Sequence, residues 1–173
     1  MTAVAGAAYT AAQYNQNTRD NLMETGPAKA TAAGRLLVTG GANSLVEREI
    51  TQQNVATSQT TGSTSFTDLT TVGPVSTAAT GPIALVWFAA QMSNSGATAV
   101  TQCAVDVSGA TTRAPETTAD LYIDGLGANQ AIRASTVHLF SGLTPGTQSF
   151  KLQYRVGSGT GTFYDRSVGV MAL

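Results

Sequence analysis

From Phe66 to the end of the chain, apolar and polar side chains alternate in short runs separated by turn-forming residues. A strand points successive side chains to opposite faces, so a period of two marks a sheet with one face buried. The segment SFKLQYRV (149–156) places Phe150, Leu152, Tyr154 and Val156 on one face and Ser149, Lys151, Gln153 and Arg155 on the other. VTQCAVDV groups Cys103, Val105 and Val107, and AIRASTVHLF sets Ile132, Ala134, Thr136, His138 and Phe140 against Arg133, Ser135, Val137 and Leu139. PIALVWFAAQM is apolar on both faces and belongs at the centre of a sheet. SFTDLTTV, ADLYI and TFYDRSVGVM complete the set, with SNSGAT, VSGATT, DGLGANQ, GLTPGTQ and GSGTGT as turns between runs.

Seven or eight such strands with no helical pattern between them predict a mainly β protein, an antiparallel β-sandwich. A jelly roll or a related TNF-like sandwich is the expected form. GLTPGTQSFKLQYRV also suits a fibronectin-type or immunoglobulin-like sandwich, which runs to ~100 residues.

The N-terminal part follows different rules. In YTAAQYNQNTRDNL (9–22), Thr10 and Gln13 have the spacing of a capping box, and Gly26-Pro27 forms a stop signal. A helix is predicted over 10–25, with a narrow stripe of Ala11, Tyr14, Thr18 and Leu22 that is too weakly apolar to hold it on a domain. Residues 26–64 read as irregular or extended, apart from short RLLVTGG and SLVEREI runs. The expected organisation is a helix and extended attachment arm over 1–64 and a sandwich body over 65–173. An arm of this kind acquires its order on binding.

Charged residues make up only 11% of the chain against a usual ~25%. Net charge is −1, and only Lys29 and Lys151 are lysines, so no basic field exists to gather nucleic acid or an anionic membrane. No charge occurs between Asp68 and Asp106, and so sparse a surface is expected to be covered by other subunits. Self-association is expected, with a homotrimer first. Val86, Trp87 and Phe88 of the doubly apolar run and Phe163 and Tyr164 near the C-terminus are the candidate interface residues. The first ten residues lack the charged region of a signal peptide, and Pro82–Ala90 is too short to span a bilayer, so a cytosolic product is expected.

Chemistry-bearing residues are few. Cys103, alone, excludes an internal disulfide and reads as a buried, inert thiol. His138 reads as a structural histidine, and no G-x-S-x-G elbow surrounds a serine. Glu47/Glu49 and Asp120/Asp124 are the nearest carboxylate pairs, read respectively as a solvated strand face and as a turn. DLYIDGLGANQ lacks the ligand pattern and closing Glu of an EF-hand. GSGTGT carries no lysine and precedes no helix, so it is a hairpin tip and not a phosphate loop. No catalytic residue, metal or cofactor is expected.

The segments TAAQYNQNTRDNL and GPAKATAAGRLLVTGGANSLVERE, together with the ending GTGTFYDRSVGVMAL, resemble small virion proteins of tailed bacteriophages, especially those infecting actinobacteria. Thr18 stands where valine is usual in that group, which weakens the helix stripe. The resemblance implies a non-enzymatic structural role in the particle, commonly as a minor tail or fibre-type subunit, made in the host cytoplasm and assembled into the virion. Head (capsid) decoration is the alternative. The arm, through Tyr14, Asn15, Thr18, Arg19, Asp20, Asn21 and Leu22, would attach the body to tail or major capsid proteins. A reading from another class is a host-glycan-binding module using Tyr122, Phe163 and Tyr164 as platforms, and a hydrolase has the least support.

Overall fold

The computed structural model describes residues 10–23 and 29–173, which divide into two compact units meeting between Glu47 and Arg48. In the first unit, helix α1 (Ala11–Met23) begins with the expected capping box. The Thr10 amide donates to Gln13 Oε1 at 3.0 Å, and the Gln13 amide donates to Thr10 Oγ1 at 3.2 Å. The rest of the expected helix and its Gly26-Pro27 stop lie outside the described residues. Strands β1 (Leu36–Gly41) and β2 (Ser44–Arg48) pair as a hairpin. Asn43, with φ of 56°, turns the corner in the left-handed region that asparagine tolerates.

The second unit holds β3 (Ile50–Val55), β4 (Gln59–Thr61), β5 (Val75–Thr80), β6 (Ile83–Asn94), β7 (Thr101–Gly109), β8 (Asp120–Ile123), β9 (Ile132–Ser141), β10 (Gly146–Val156) and β11 (Gly161–Ala172). One sheet runs β3-β11-β6-β9, with β4 also paired to β11, and the other runs β5-β10-β7-β8. Every pairing in this unit is antiparallel. With the three-residue β4 set aside, the strands numbered along the unit give sheet orders 1-8-3-6 and 2-7-4-5. This is a jelly roll, in which the last strand returns beside the first. An immunoglobulin-like sandwich, with its ABED and CFG sheets, pairs its strands differently.

The core lies between the sheets. Val86, Phe88 and Met92 of β6 and Val168 and Val170 of β11 face Val105 and Val107 of β7 and Phe150, Leu152 and Tyr154 of β10. Each large side chain buried this way contributes about 1.5–3 kcal/mol of transfer free energy. Phe140 packs edge-on against Phe150 at 5.9 Å, and Tyr154 lies 4.8 Å from Phe163, so aromatic contacts bridge the two sheets.

Three expectations about the elements change. The body begins near Arg48, not at residue 65, because β3 and β4 hydrogen-bond to β11 across 100 or more residues of chain. SFTDLTTV is a loop whose one β-bridge joins Thr67 to Tyr154. The strand before β6 is VSTAAT, β5, which turns only small side chains inward: Ser76, Ala78 and Thr80 are each 1% exposed. Residues of that size leave no apolar alternation to read.

Candidate interaction surfaces

The seven proposed attachment residues all sit on α1, and Asn15, Thr18, Arg19, Asp20 and Asn21 are exposed. Tyr14 is 65% exposed and Leu22 60%, so the i, i+4, i+8 stripe of Tyr14, Thr18 and Leu22 presents apolar surface to solvent. Arg19 and Asp20 pair at 3.2 Å along the helix, an exposed contact that contributes little to stability. Farther along this unit, Glu47 ties the chain before the hairpin to β2. Its carboxylate accepts the Thr31 amide at 2.9 Å, the Ala32 amide at 3.2 Å and a very short bond from the Thr31 hydroxyl. The Thr31 hydroxyl and amide, then the Ala32 amide and the nearby Arg35 charge, hold the Glu47 pKa below its ordinary value.

Of the five proposed interface residues, Val86, Phe88 and Phe163 have no exposed surface and fill the interior of the sandwich. They therefore take no part in an outer contact. Trp87 and Tyr164 alternate with them and reach the outer face of the β3-β11-β6-β9 sheet, both half-buried. Cross-strand register sets their neighbours. One row runs Ile50, Met171, Leu85, Leu139, and the next runs Gln52, Gly169, Trp87, Val137. Val137 is 59% exposed, Leu139 52% and Ile50 46%. Trp87 lies directly over Gly169, where a Cβ would come within 2.1 Å of the indole ring. The missing side chain lets the ring lie against the sheet.

Beyond this apolar block the same face becomes polar. Arg133 and Asp165 pair at 3.5 Å beside a shallow cleft of about 260 Å³ that also involves Asn54, Val55, Ala56 and Arg166. The other sheet has a different outer face. There Ser149, Lys151, Gln153 and Arg155 point outward from β10, and Lys151 Nζ pairs with Asp68 at 3.0 Å and Asp106 at 3.8 Å.

The histidine and the Asp120/Asp124 pair do not come together in one site. His138 lies half-buried on the inward side of β9, edge-on to Phe140 at 4.8 Å. Asp120 accepts a 2.7 Å hydrogen bond from Gln102 Nε2, while Asp124 accepts one from the exposed Tyr122 hydroxyl at 3.1 Å, so this pair does not converge. Burial raises the Asp120 pKa, with the Gln102 bond and the Arg155 charge opposing that shift. Cys103 is wholly buried, and burial pushes its thiol far above the ordinary range. Among the described residues, no three His, Cys, Asp or Glu side chains come together to hold a metal ion. No described helix is long and apolar enough to cross a membrane. At the 157–162 tip, Asn94 Nδ2 donates to Ser158 O at 3.1 Å and to Thr101 Oγ1 at 3.0 Å, so this hairpin end is tied to the sandwich.

Sequence reasoning missed Arg166. The strand β11 slips register between Tyr164 and Ser167, and Asp165 takes a left-handed φ of 46° there. The slip turns Arg166 inward, with 0% exposure, where Nη1 donates to Gly73 O at 3.1 Å and Thr71 O at 3.4 Å. Nη2 donates to Thr57 O at 3.2 Å, and the guanidinium lies 5.3 Å from the Tyr154 ring centre. The signal was present in the spacing. Phe163 and Val168 both belong inside yet stand five residues apart, an odd interval that a regular strand does not allow.

No protein-family model matches the chain, and no curated protein is similar to it in sequence. Solved structures with a similar fold include Eiger TNF from S. frugiperda, at a TM-score of 0.49 and 9% identity, covering 73% of this chain and 92% of that one. A structure of infectious bursal disease virus Gx strain matches at a TM-score of 0.49 and 8% identity, over 78% of this chain. The chain spans about a third (36%) of the length of that viral chain.

Proposed function

We propose that this chain is a non-enzymatic structural protein of a bacteriophage particle, a jelly-roll body displayed on the virion and attached through its N-terminal unit. The observation that carries the reading is the division of labour between the two units. The body holds the whole packed core of the sandwich, whereas α1 exposes Tyr14 and Leu22 and has no thick apolar face of its own. A helix so built gains its burial from a partner. The resemblance of residues 10–22 and 26–49 to phage virion proteins supplies the kind of partner, another protein of the particle. Dispersed, individually bonded carboxylates and a lone half-buried histidine support a role without catalysis.

Within that class, a minor tail or fibre-type subunit associated as a homotrimer is the preferred assignment. Immunogold labelling of purified particles with antibody against residues 48–173 should mark the tail. Label spread over the head would select capsid decoration instead, and particles that carry none of the protein would overturn the reading.

A further inference from the structure

We infer that the outer face of the β3-β11-β6-β9 sheet, centred on Trp87, is the surface on which copies of this chain meet. The inference deepens the self-association named above and rests on that reading. Two rows of cross-strand neighbours form its centre, and none of their eight residues is charged: Ile50, Met171, Leu85 and Leu139, then Gln52, Gly169, Trp87 and Val137. β9, which carries the exposed Val137 and Leu139, is the terminal strand of its sheet, so unpaired backbone adjoins the apolar block. Such an edge is a template for association unless something covers or blunts it. Arg133 stands at one end of β9, and no charged residue follows it through Ser141.

The other sheet supplies an internal comparison. Its β10 face is charged and its lysine is paired twice, as expected of a surface kept in water. The same fold thus builds one face for solvent and one that solvent does not favour.

Size and rim chemistry identify the occupant. Four strands spaced at about 4.8 Å, over the length of β6, give a face of roughly 20 by 35 Å, or roughly 700 Å². A stable protein interface takes about 800 Å² per partner, with an apolar centre and a polar rim. The block around Trp87 is such a centre, and the end with Asn54, Arg133 and Asp165 is such a rim. That rim holds one charge of each sign, so a second copy meets it without like-charge repulsion. A glycan needs hydroxyl-binding groups around its aromatic platform, and Trp87 is flanked instead by Leu85, Ala89, Gly169 and Val137. A lipid surface would need a basic margin, and this face has one arginine, already paired with Asp165.

The experiment is light scattering after size-exclusion chromatography on the full chain, wild type beside Val137→Lys/Leu139→Lys and Gly169→Ala. Both lysine substitutions are at side chains more than half exposed in the single chain, so far-UV circular dichroism and the thermal midpoint of the dissociated body should hold. Wild type is expected at a multiple of 17.6 kDa, and the double lysine variant at that single mass. Association should weaken about 30-fold or more, the effect of losing one interfacial hot spot. Gly169→Ala, which displaces the indole, should weaken it in the same direction and shift Trp87 fluorescence. A folded lysine variant that keeps the wild-type mass would overturn this surface while leaving self-association intact. A wild-type monomer at the highest soluble concentration would overturn both.

Discussion

Arg166 heads the fully buried side chains of the sandwich by volume, and the bonds it donates go to the backbone carbonyls of Thr57, Thr71 and Gly73. Thr71 and Gly73 belong to the long loop that crosses from β4 to β5 and Thr57 to the link between β3 and β4, so one side chain fastens both segments beneath the bulge of β11. The Tyr154 hydroxyl adds a 2.8 Å bond to Gly73 O. Arg166→Ala would remove the donor to the Thr57 and Thr71 carbonyls and leave Gly73 O with Tyr154 alone, at about 1–3 kcal/mol for each carbonyl that stays buried and unpaired. A loss of about 3 kcal/mol or more in urea unfolding is expected. Arg166→Lys, a point charge without the planar fork, should recover part of it. An unchanged midpoint for Arg166→Ala would show that the loop is held by other contacts. Cys103 lends itself to a simpler test. Its thiol is enclosed and held in the protonated form, so a thiol reagent should label the native protein only as fast as it unfolds, and completely in denaturant. Prompt labelling in native buffer would contradict the burial. The inert reading of Cys103 follows from its place with Val105 and Val107 on the apolar face of a strand. Arg166 was obscured because a charged residue in a strand normally signals the solvent side.

At the scale of elements, the hairpin β1–β2 is tied to Thr31 and Ala32 by one carboxylate, that of Glu47. The folded pKa of Glu47 is depressed, so the tie is complete above the ordinary carboxylate value of 4.5 and is lost as pH falls through the lowered value. Amide exchange at Thr31 and Ala32 should accelerate on acidification, and Glu47→Gln should show fast exchange with a flatter pH profile. Slow exchange at both amides in Glu47→Gln would show that the carboxylate is dispensable. Asp120 has the opposite sign. Its raised pKa favours the folded state below the ordinary 3.8, and that contribution fades as pH rises through the raised value. Strands with large alternating side chains, such as β7, β9 and β10, were legible because one face had to be apolar. β5 was not, since Ser76, Ala78 and Thr80 fit the interior by being small, and β3 was not, since ITQQNV belongs to a sheet margin.

For the whole molecule, the boundary between Glu47 and Arg48 predicts that residues 48–173 fold without the first unit. Deletion of residues 1–47 should give a protein with cooperative thermal unfolding and a β-type circular dichroism spectrum that is not incorporated into particles. Loss of folding after that deletion would sink the division between body and attachment unit. Periodicity was enough to assign a sandwich and to sort inward from outward faces on most long strands, because side-chain direction in a strand is a local property. It also marked Trp87 and Tyr164 as candidates, but in company with Val86, Phe88 and Phe163, since both faces of β6 are apolar and only packing shows which one the second sheet covers. The sheet order, the start of the body and the unpaired margin along β9 rest on partnerships such as Ile50 with Met171. Pairing at that distance leaves no local periodicity behind, because it is set by how two sheets close over one core.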